Sequence, residues 1–175
     1  MKRTLFLVLY YCIGRFLPVS YSRLWGGISR SLRYFCCKNI FKSIGRNVNI
    51  ERGVDFGSGR DIEIGDNSGI GINCSVPNNI KIGNDVMMGP GCVFFENRTH
   101  VISDVTKPMR LQGHYYKEGR IEIGDDVWIG RSVMVMPCKT IGSHTVIAAG
   151  SVVCKDVPDY VIAGGNPVQI IKERR

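Results

Sequence analysis

Large apolar residues recur every six positions from Ile44 onward: Ile44, Ile50, Phe56, then Ile64, Ile70, Val76, Ile82, Met88 and Phe94. After a break the phase resumes at Ile123, Ile129, Val135, Ile141, Ile147 and Val153. One slip of two residues separates Phe56 from Ile64. Glycine follows nine of these positions directly: Gly45, Gly57, Gly65, Gly71, Gly83, Gly89, Gly124, Gly130 and Gly142. Four residues after each large position the side chain is usually small or β-branched: Val48, Val54, Ser68, Cys74, Val86, Cys92, Val127, Val133, Thr145 and Ser151. A period of six fits neither the 3.6-residue turn of a helix nor plain strand alternation. It predicts short flat strands with a corner every six residues. The large residue points inward, the small one fills the corner, and glycine permits tight backbone geometry beside the large residue. Three hexads close a triangular coil, so about five coils are expected over residues 44–157. Each coil buries its apolar side chains only against its neighbours.

Composition supports strands. The 175 residues include 20 Ile and 18 Val against 7 Leu and 3 Ala, and after Phe41 the one leucine is Leu111. β-Branched residues suit strands, and an all-helical body is excluded. Charge singles out the N-terminus. Residues 1–46 hold nine basic side chains and no acidic one, so the net charge of +8 belongs to this segment. Such a block fits anionic lipid head groups; nucleic acid is not expected as a partner. Residues Leu5–Ile13 form an apolar run between Lys2, Arg3 and Arg15. It is too short to cross a membrane, which takes ~20 residues. A secretory signal is the rival reading, with Ser20-Tyr21-Ser22 as a poor cleavage site. A helical segment with Trp25, Tyr34 and Phe35, lying on a membrane surface or packed on the body, is the expectation for residues 1–43. Seven cysteines, an odd number with no C-x-x-C, read as free thiols in a reducing cytoplasm.

The runs Ile123-Gly-Asp-Asp-Val-Trp-Ile-Gly130 and Ala149-Gly-Ser-Val-Val-Cys-Lys-Asp-Val-Pro158 resemble the hexapeptide-repeat acyltransferases, most of all the maltose, galactoside and surface-polysaccharide O-acetyltransferases. The resemblance implies a left-handed parallel β-helix, a homotrimer, acetyl-CoA as co-substrate, a sugar or glycan as acceptor, and no metal. Residues 95–122 break the repeat, and a patternless loop ejected from a solenoid is commonly functional. The loop carries His100 and the run Pro108-Met-Arg-Leu-Gln-Gly113. In the family such a loop reaches a neighbouring subunit and supplies the catalytic histidine, which His100 matches by place. A neutral imidazole suits removal of a hydroxyl proton near neutral pH.

For the coenzyme, the resemblance points to Trp128 near the cleft, to Arg131 beside the pantetheine arm, and to Ala149, Cys154 and Lys155. Lys155 and Lys172 are candidates for phosphate groups. Gln169 departs from the Lys or Arg common at that place, which leaves Arg174 or Arg175 as substitutes. Asn73, Glu96 and Asn97 are candidates for the acceptor. Residues 158–175 form a C-terminal tail. The rivals are a serine or antibiotic acetyltransferase, a zinc hydratase of the γ-carbonic-anhydrase kind drawing on His100, His114 and His144, and a non-catalytic scaffold.

Overall fold

The computed structural model describes residues 2–175. Beyond the N-terminal helices the body is built of strands mostly two or three residues long, stacked into the three faces of a prism. On the first face Ser43–Ile44, Glu63–Ile64, Ile80–Ile82, Ile121–Ile123 and Thr140–Ile141 pair in parallel, with Ile44, Ile64, Ile82, Ile123 and Ile141 in register. The second face joins Asn49–Ile50 to Gly69–Ile70, and Met87–Met88 to Trp128–Ile129, Val146–Ile147 and Val161–Gly164. A bond from Gly69 N–H to the Val86 carbonyl connects its two parts. The third face holds Val93–Phe94, Met134–Val135 and Val152–Val153, prolonged by bridges through Ser75 to Asp55. The large hexad residues thus stack along the prism axis. All but the half-buried Ile44 are buried, as are the corner residues from Val48 to Ser151. Each fully buried Ile or Val contributes about 1.5–3 kcal/mol against an exposed reference.

The hexad glycines work differently from the sequence expectation. Most keep ordinary negative φ; what they supply is room. A Cβ on Gly130 would lie 2.5 Å from the Ala149 nitrogen, and one on Gly89 would lie 2.7 Å from that of Arg131. The left-handed backbone falls two residues later, where Asn47, Asn67, Asp85, Asp126 and His144 all have positive φ. Asn and Asp tolerate that conformation better than other side chains do. Between glycine and this position runs a ladder of polar caps. Asp66 accepts from Arg46 N–H (2.8 Å), Asn84 from Asp66 N–H (2.8 Å), Asp125 from Asn84 N–H (2.6 Å) and Asp159 from Ser143 N–H (2.6 Å). The Asp or Asn at this place, in Gly65-Asp66-Asn67, Gly83-Asn84-Asp85, Gly124-Asp125-Asp126 and Pro158-Asp159-Tyr160, therefore ties each of these coils to the one before it.

Residues 2–38 form two helices, α1 (Lys2–Cys12) and α2 (Gly26–Lys38), joined through a short turn at Gly14–Phe16. They cover the first coil. Phe6, Tyr10, Cys36 and Cys37 are buried with Ile40 and Phe41, and the Tyr10 hydroxyl donates to the Val54 carbonyl at 3.0 Å. The rings of Tyr10 and Phe41 pack on Phe56 at 4.5 and 4.9 Å. The phase slip after Phe56 lies here: Gly59 passes beneath Ile40 and Phe41, with space for no side chain. Arg33 is fully buried and donates to the carbonyls of Ile50 (2.6 Å), Pro18 (2.9 Å) and Leu17 (3.3 Å). Its guanidinium stands 3.7 Å from the Glu51 carboxylate. Among the described residues no helix is long and apolar enough to cross a membrane.

Candidate functional site

The prism interior is filled with side chains, so a site must lie on a face, a corner or the ejected loop. After Phe94 the chain leaves the stack and forms an antiparallel hairpin of Arg98–His100 with His114–Tyr116. The Pro108–Gly113 run has a local purpose. Pro108 precedes a single turn at Met109–Leu111, and Gln112 donates to the carbonyls of Asp104 (2.7 Å) and Lys107 (2.8 Å), closing the loop upon itself. Gly113 then takes φ +80° at the return. The loop tip leaves Ile102, Val105, Met109 and Leu111 in solvent, with Val105 96% exposed.

His100 ends the first hairpin strand, directly opposite His114. Residues facing each other in an antiparallel pair, and those two along, share one side of the ribbon. Arg98, His100, His114 and Tyr116 therefore occupy the same side. Sequence spacing did not announce this His100–His114 juxtaposition. The Arg98 guanidinium approaches His114 Nδ1 at 3.4 Å, and the rings of His114 and Tyr116 meet edge-on at 5.9 Å. His100 is exposed, and among the described residues nothing bonds its ring. His144 lies apart on the body, at a corner position, 3.0 Å from the Asp126 carboxylate and stacked on Tyr160. The bonds from His144 and then Arg174 hold the Asp126 carboxyl below its ordinary range. Among the described residues no group of three His, Cys, Asp or Glu side chains is placed to hold a metal ion.

At the loop base a cavity of about 450 Å³ is lined by Asp61, Asn78, Glu96, Asn97, Tyr116 and Lys117, among others. Asn97 donates to the Lys117 carbonyl (3.0 Å) and the Gly119 carbonyl (2.5 Å), which fastens the two loop ends together. Its Oδ1 is buried and has no partner among the described residues. Glu96 is exposed at the rim. Asn73, the third acceptor candidate, is not brought here. It occupies a left-handed corner position (φ +54°) beside Gly53, and its residue type follows from that backbone. Sequence reading missed Asn78 and Tyr116; with no period inside the loop, only the fold brings them to Asn97.

The coenzyme candidates divide by location. Trp128 projects from the second face, 53% exposed, between Met87 and Val146 in the outward row. Arg131 and Ala149 share the corner between the second and third faces, where Gly150 N–H donates to the Arg131 carbonyl at 2.8 Å. Cys154 and Lys155 are exposed at the corner beyond the third face, and Lys155 donates to Gln169 at 3.0 Å. Lys172 is exposed on the last strand, Gln169–Glu173. Arg174 is engaged by Asp126 at 2.8 Å, and Arg175 lies 3.2 Å from Glu173. Arg174 is therefore already committed to the body.

Comparison with known proteins follows the same geography. The sequence model described as bacterial transferase hexapeptide (six repeats) matches residues 120–155. A chloramphenicol acetyltransferase of Klebsiella aerogenes is 52% identical over 60 residues, covering 34% of this chain and 29% of the relative. The matched stretch spans about a third of the length of the curated relatives. Solved structures align far more extensively. A maltose O-acetyltransferase from Clostridium difficile 630 superposes with a TM-score of 0.77 at 30% identity, covering 99% of this chain and 87% of that one. A galactoside acetyltransferase in complex with coenzyme A gives 0.80 at 31% identity, covering 99% and 81%.

Proposed function

Because the chain belongs to the hexapeptide-repeat transferase family, we propose that it transfers the acetyl group of acetyl-CoA to a hydroxyl of a sugar, in the cytoplasm, on a precursor of surface polysaccharide. The observation that carries this reading is the whole-length likeness to a galactoside acetyltransferase bound to coenzyme A. The same reading takes the prism as left-handed with five coils, and the working unit as a homotrimer. Outward Met87, Trp128 and Met134 and the bare apolar loop tip support the trimer, since each leaves large apolar area uncovered in one chain.

His100 is the general base of the proposal. Its neutral imidazole takes the proton of the acceptor hydroxyl as that oxygen attacks the thioester carbon. The tetrahedral oxyanion collapses, the carbon–sulfur bond breaks, and the coenzyme A thiolate leaves with a proton returned by the imidazolium. No acyl-enzyme is needed, because the thiolate is already a good leaving group. Arg131 and Ala149 offer backbone to the pantetheine arm; Trp128 covers it; Cys154 lies beside it; Lys155 and Lys172 meet phosphates. Glu96 at the rim and Asn97 in the lining of the loop-base cavity are the acceptor residues of this reading; Asn73, on the corner between the second and third faces, lies outside that cavity. Among the described residues nothing bonds the ring of His100; on this reading a second chain supplies its partner.

The test is acetyl-CoA consumption with a panel of sugars and chloramphenicol, for wild type and His100→Ala. A sugar acceptor is expected, with kcat falling ~10²–10⁴-fold in the variant. His100 is exposed, so the melting temperature should not move. Equal rates for the two proteins would remove the base. Turnover of chloramphenicol alone would favour the antibiotic reading, which rests on the Klebsiella relative.

A further inference from the structure

The N-terminal helices carry an outer surface that the fold does not use. Their inner sides are occupied by Phe6, Tyr10, Arg33, Cys36 and Cys37. On the outer side of α1, Leu5, Val8 and Cys12 follow at helical spacing; on α2, Ile28 is exposed, and Phe35, two turns on, meets the Phe6 ring edge-on at 5.3 Å while its other side stays open. Between the helices Ile13, Phe16, Tyr21, Leu24 and Trp25 are all exposed, Leu24 at 84% and Tyr21 at 76%. An exposed apolar group of this size in one short segment marks an interaction surface.

Its charge narrows the partner. The first acidic residue of the chain is Glu51, and it is buried against Ser20 and Arg33. Six of the nine basic residues in this segment are bonded to the protein. Arg3 donates to Ile40, Arg15 pairs with Asp55, Arg30 bonds Asn47, Arg33 is buried, Lys42 pairs with Glu63 and Arg46 with Asp66. Lys2, Arg23 and Lys38 remain, exposed and unbonded among the described residues. The surface is thus mainly aliphatic and aromatic, with three cations and no anion.

We infer that this helix pair is a membrane-surface anchor, which inserts Leu24, Trp25 and Ile28 shallowly among the lipids while Lys2, Arg23 and Lys38 meet anionic head groups. Aromatic and aliphatic groups beside basic ones suit the boundary between head groups and acyl chains. Few cations are free, so apolar insertion carries the binding and charge sets lipid preference. The anchor covers the first coil, at the end of the prism.

Flotation of the full chain with phosphatidylcholine vesicles, with and without roughly 30 mol% phosphatidylglycerol, tests this. The protein should float with both, more with the anionic vesicles, and should stay bound in high salt. Leu24→Glu with Ile28→Glu should lower binding at least tenfold on both vesicles. Its melting temperature and molar mass should be unchanged, since both side chains are exposed. Arg23→Glu with Lys38→Glu should abolish only the anionic preference. A wild type that floats with neither vesicle overturns the inference, as does a Leu24/Ile28 variant that floats like wild type. So does a change of molar mass in that variant, which would make a second copy of the chain the occupant. Flotation reads no turnover, so the result is independent of the proposed acetyl transfer.

Discussion

Two glycines at one corner of the prism are required for different reasons, and alanine separates them. A Cβ on Gly130 would meet backbone of the next coil, 2.5 Å from the Ala149 nitrogen and 2.8 Å from its Cα. Neither atom can swing aside, so the coils must part by nearly 1 Å to restore ordinary contact. That motion strains bonds of the same corner, including Gly130 N–H to Ile147 O and Gly150 N–H to Arg131 O, both 2.8 Å. Overpacking at about 1–3 kcal/mol together with weakened bonds at about 1 kcal/mol each gives ~4 kcal/mol. Gly150 faces open space, but its φ is +71°. Alanine there costs about 1–2 kcal/mol of left-handed strain, partly offset by about 0.5 kcal/mol from a stiffer unfolded chain. The expected gap is ~3 kcal/mol, or ~9 °C in melting temperature for a chain of this size, at fixed protomer concentration. On the proposed contact between Ala149 and the coenzyme, Gly130→Ala should also raise KM for acetyl-CoA more than it lowers kcat, because the added Cβ displaces the Ala149 backbone, while Gly150→Asn should behave nearly as wild type. If the two alanine variants melt within ~2 °C of each other, the close approach at Gly130 does not set the coil spacing, and the argument fails.

Burial pushes the Glu51 carboxyl up, but bonds from Ser20, Asn49 and Arg52 hold it below its ordinary 4.5. A carboxyl depressed on folding adds stability that is present above pH 4.5 and lost as pH falls through the lower folded value. Glu51→Gln should therefore flatten the fall in melting temperature on acidification from about pH 6 to about pH 3; a slope identical to wild type would assign the acid sensitivity elsewhere. Trp128→Glu places a charge in the outward row beside Met87 and Val146, and light scattering should show the proposed trimer reduced to monomers; an unchanged mass would remove this row from the interface.

The prism was legible because each inward residue recurs at a fixed phase, and fifteen such positions leave little freedom for another packing. The polar half of each hexad was not. Asp66, Asn84 and Asp125 look like solvent-facing residues in a string of letters, and only the stacking of coils turns them into caps for the preceding backbone. The basic N-terminus misled by arithmetic. Summed charge describes a cationic surface, whereas Arg33 lies buried on carbonyl groups and five more residues of the block bind the body. In the loop there is no period to read. Likeness singled out His100, but the pairing with His114 and the orphaned oxygen of Asn97 depend on where the hairpin closes.

A prism packed solid to its axis imposes a condition on any chemistry it performs. Its axis is filled by the buried hexad side chains, and the ring of His100 lies in water on a hairpin whose apolar tip is bare. Proton removal from an alcohol and stabilisation of an oxyanion both gain from excluding water. If His100 is the base, as proposed, the missing wall comes from a second chain, and the exposed apolar surfaces able to provide it are the outward row at Met87 and Trp128 and the loop tip at Val105. On the trimeric reading, catalysis then belongs to the assembly: a Met87→Glu monomer should keep its fold and lose turnover even though His100 and the proposed coenzyme residues are untouched. A folded monomer as active per chain as wild type would place the reacting groups within one subunit and leave the bare loop without a catalytic purpose.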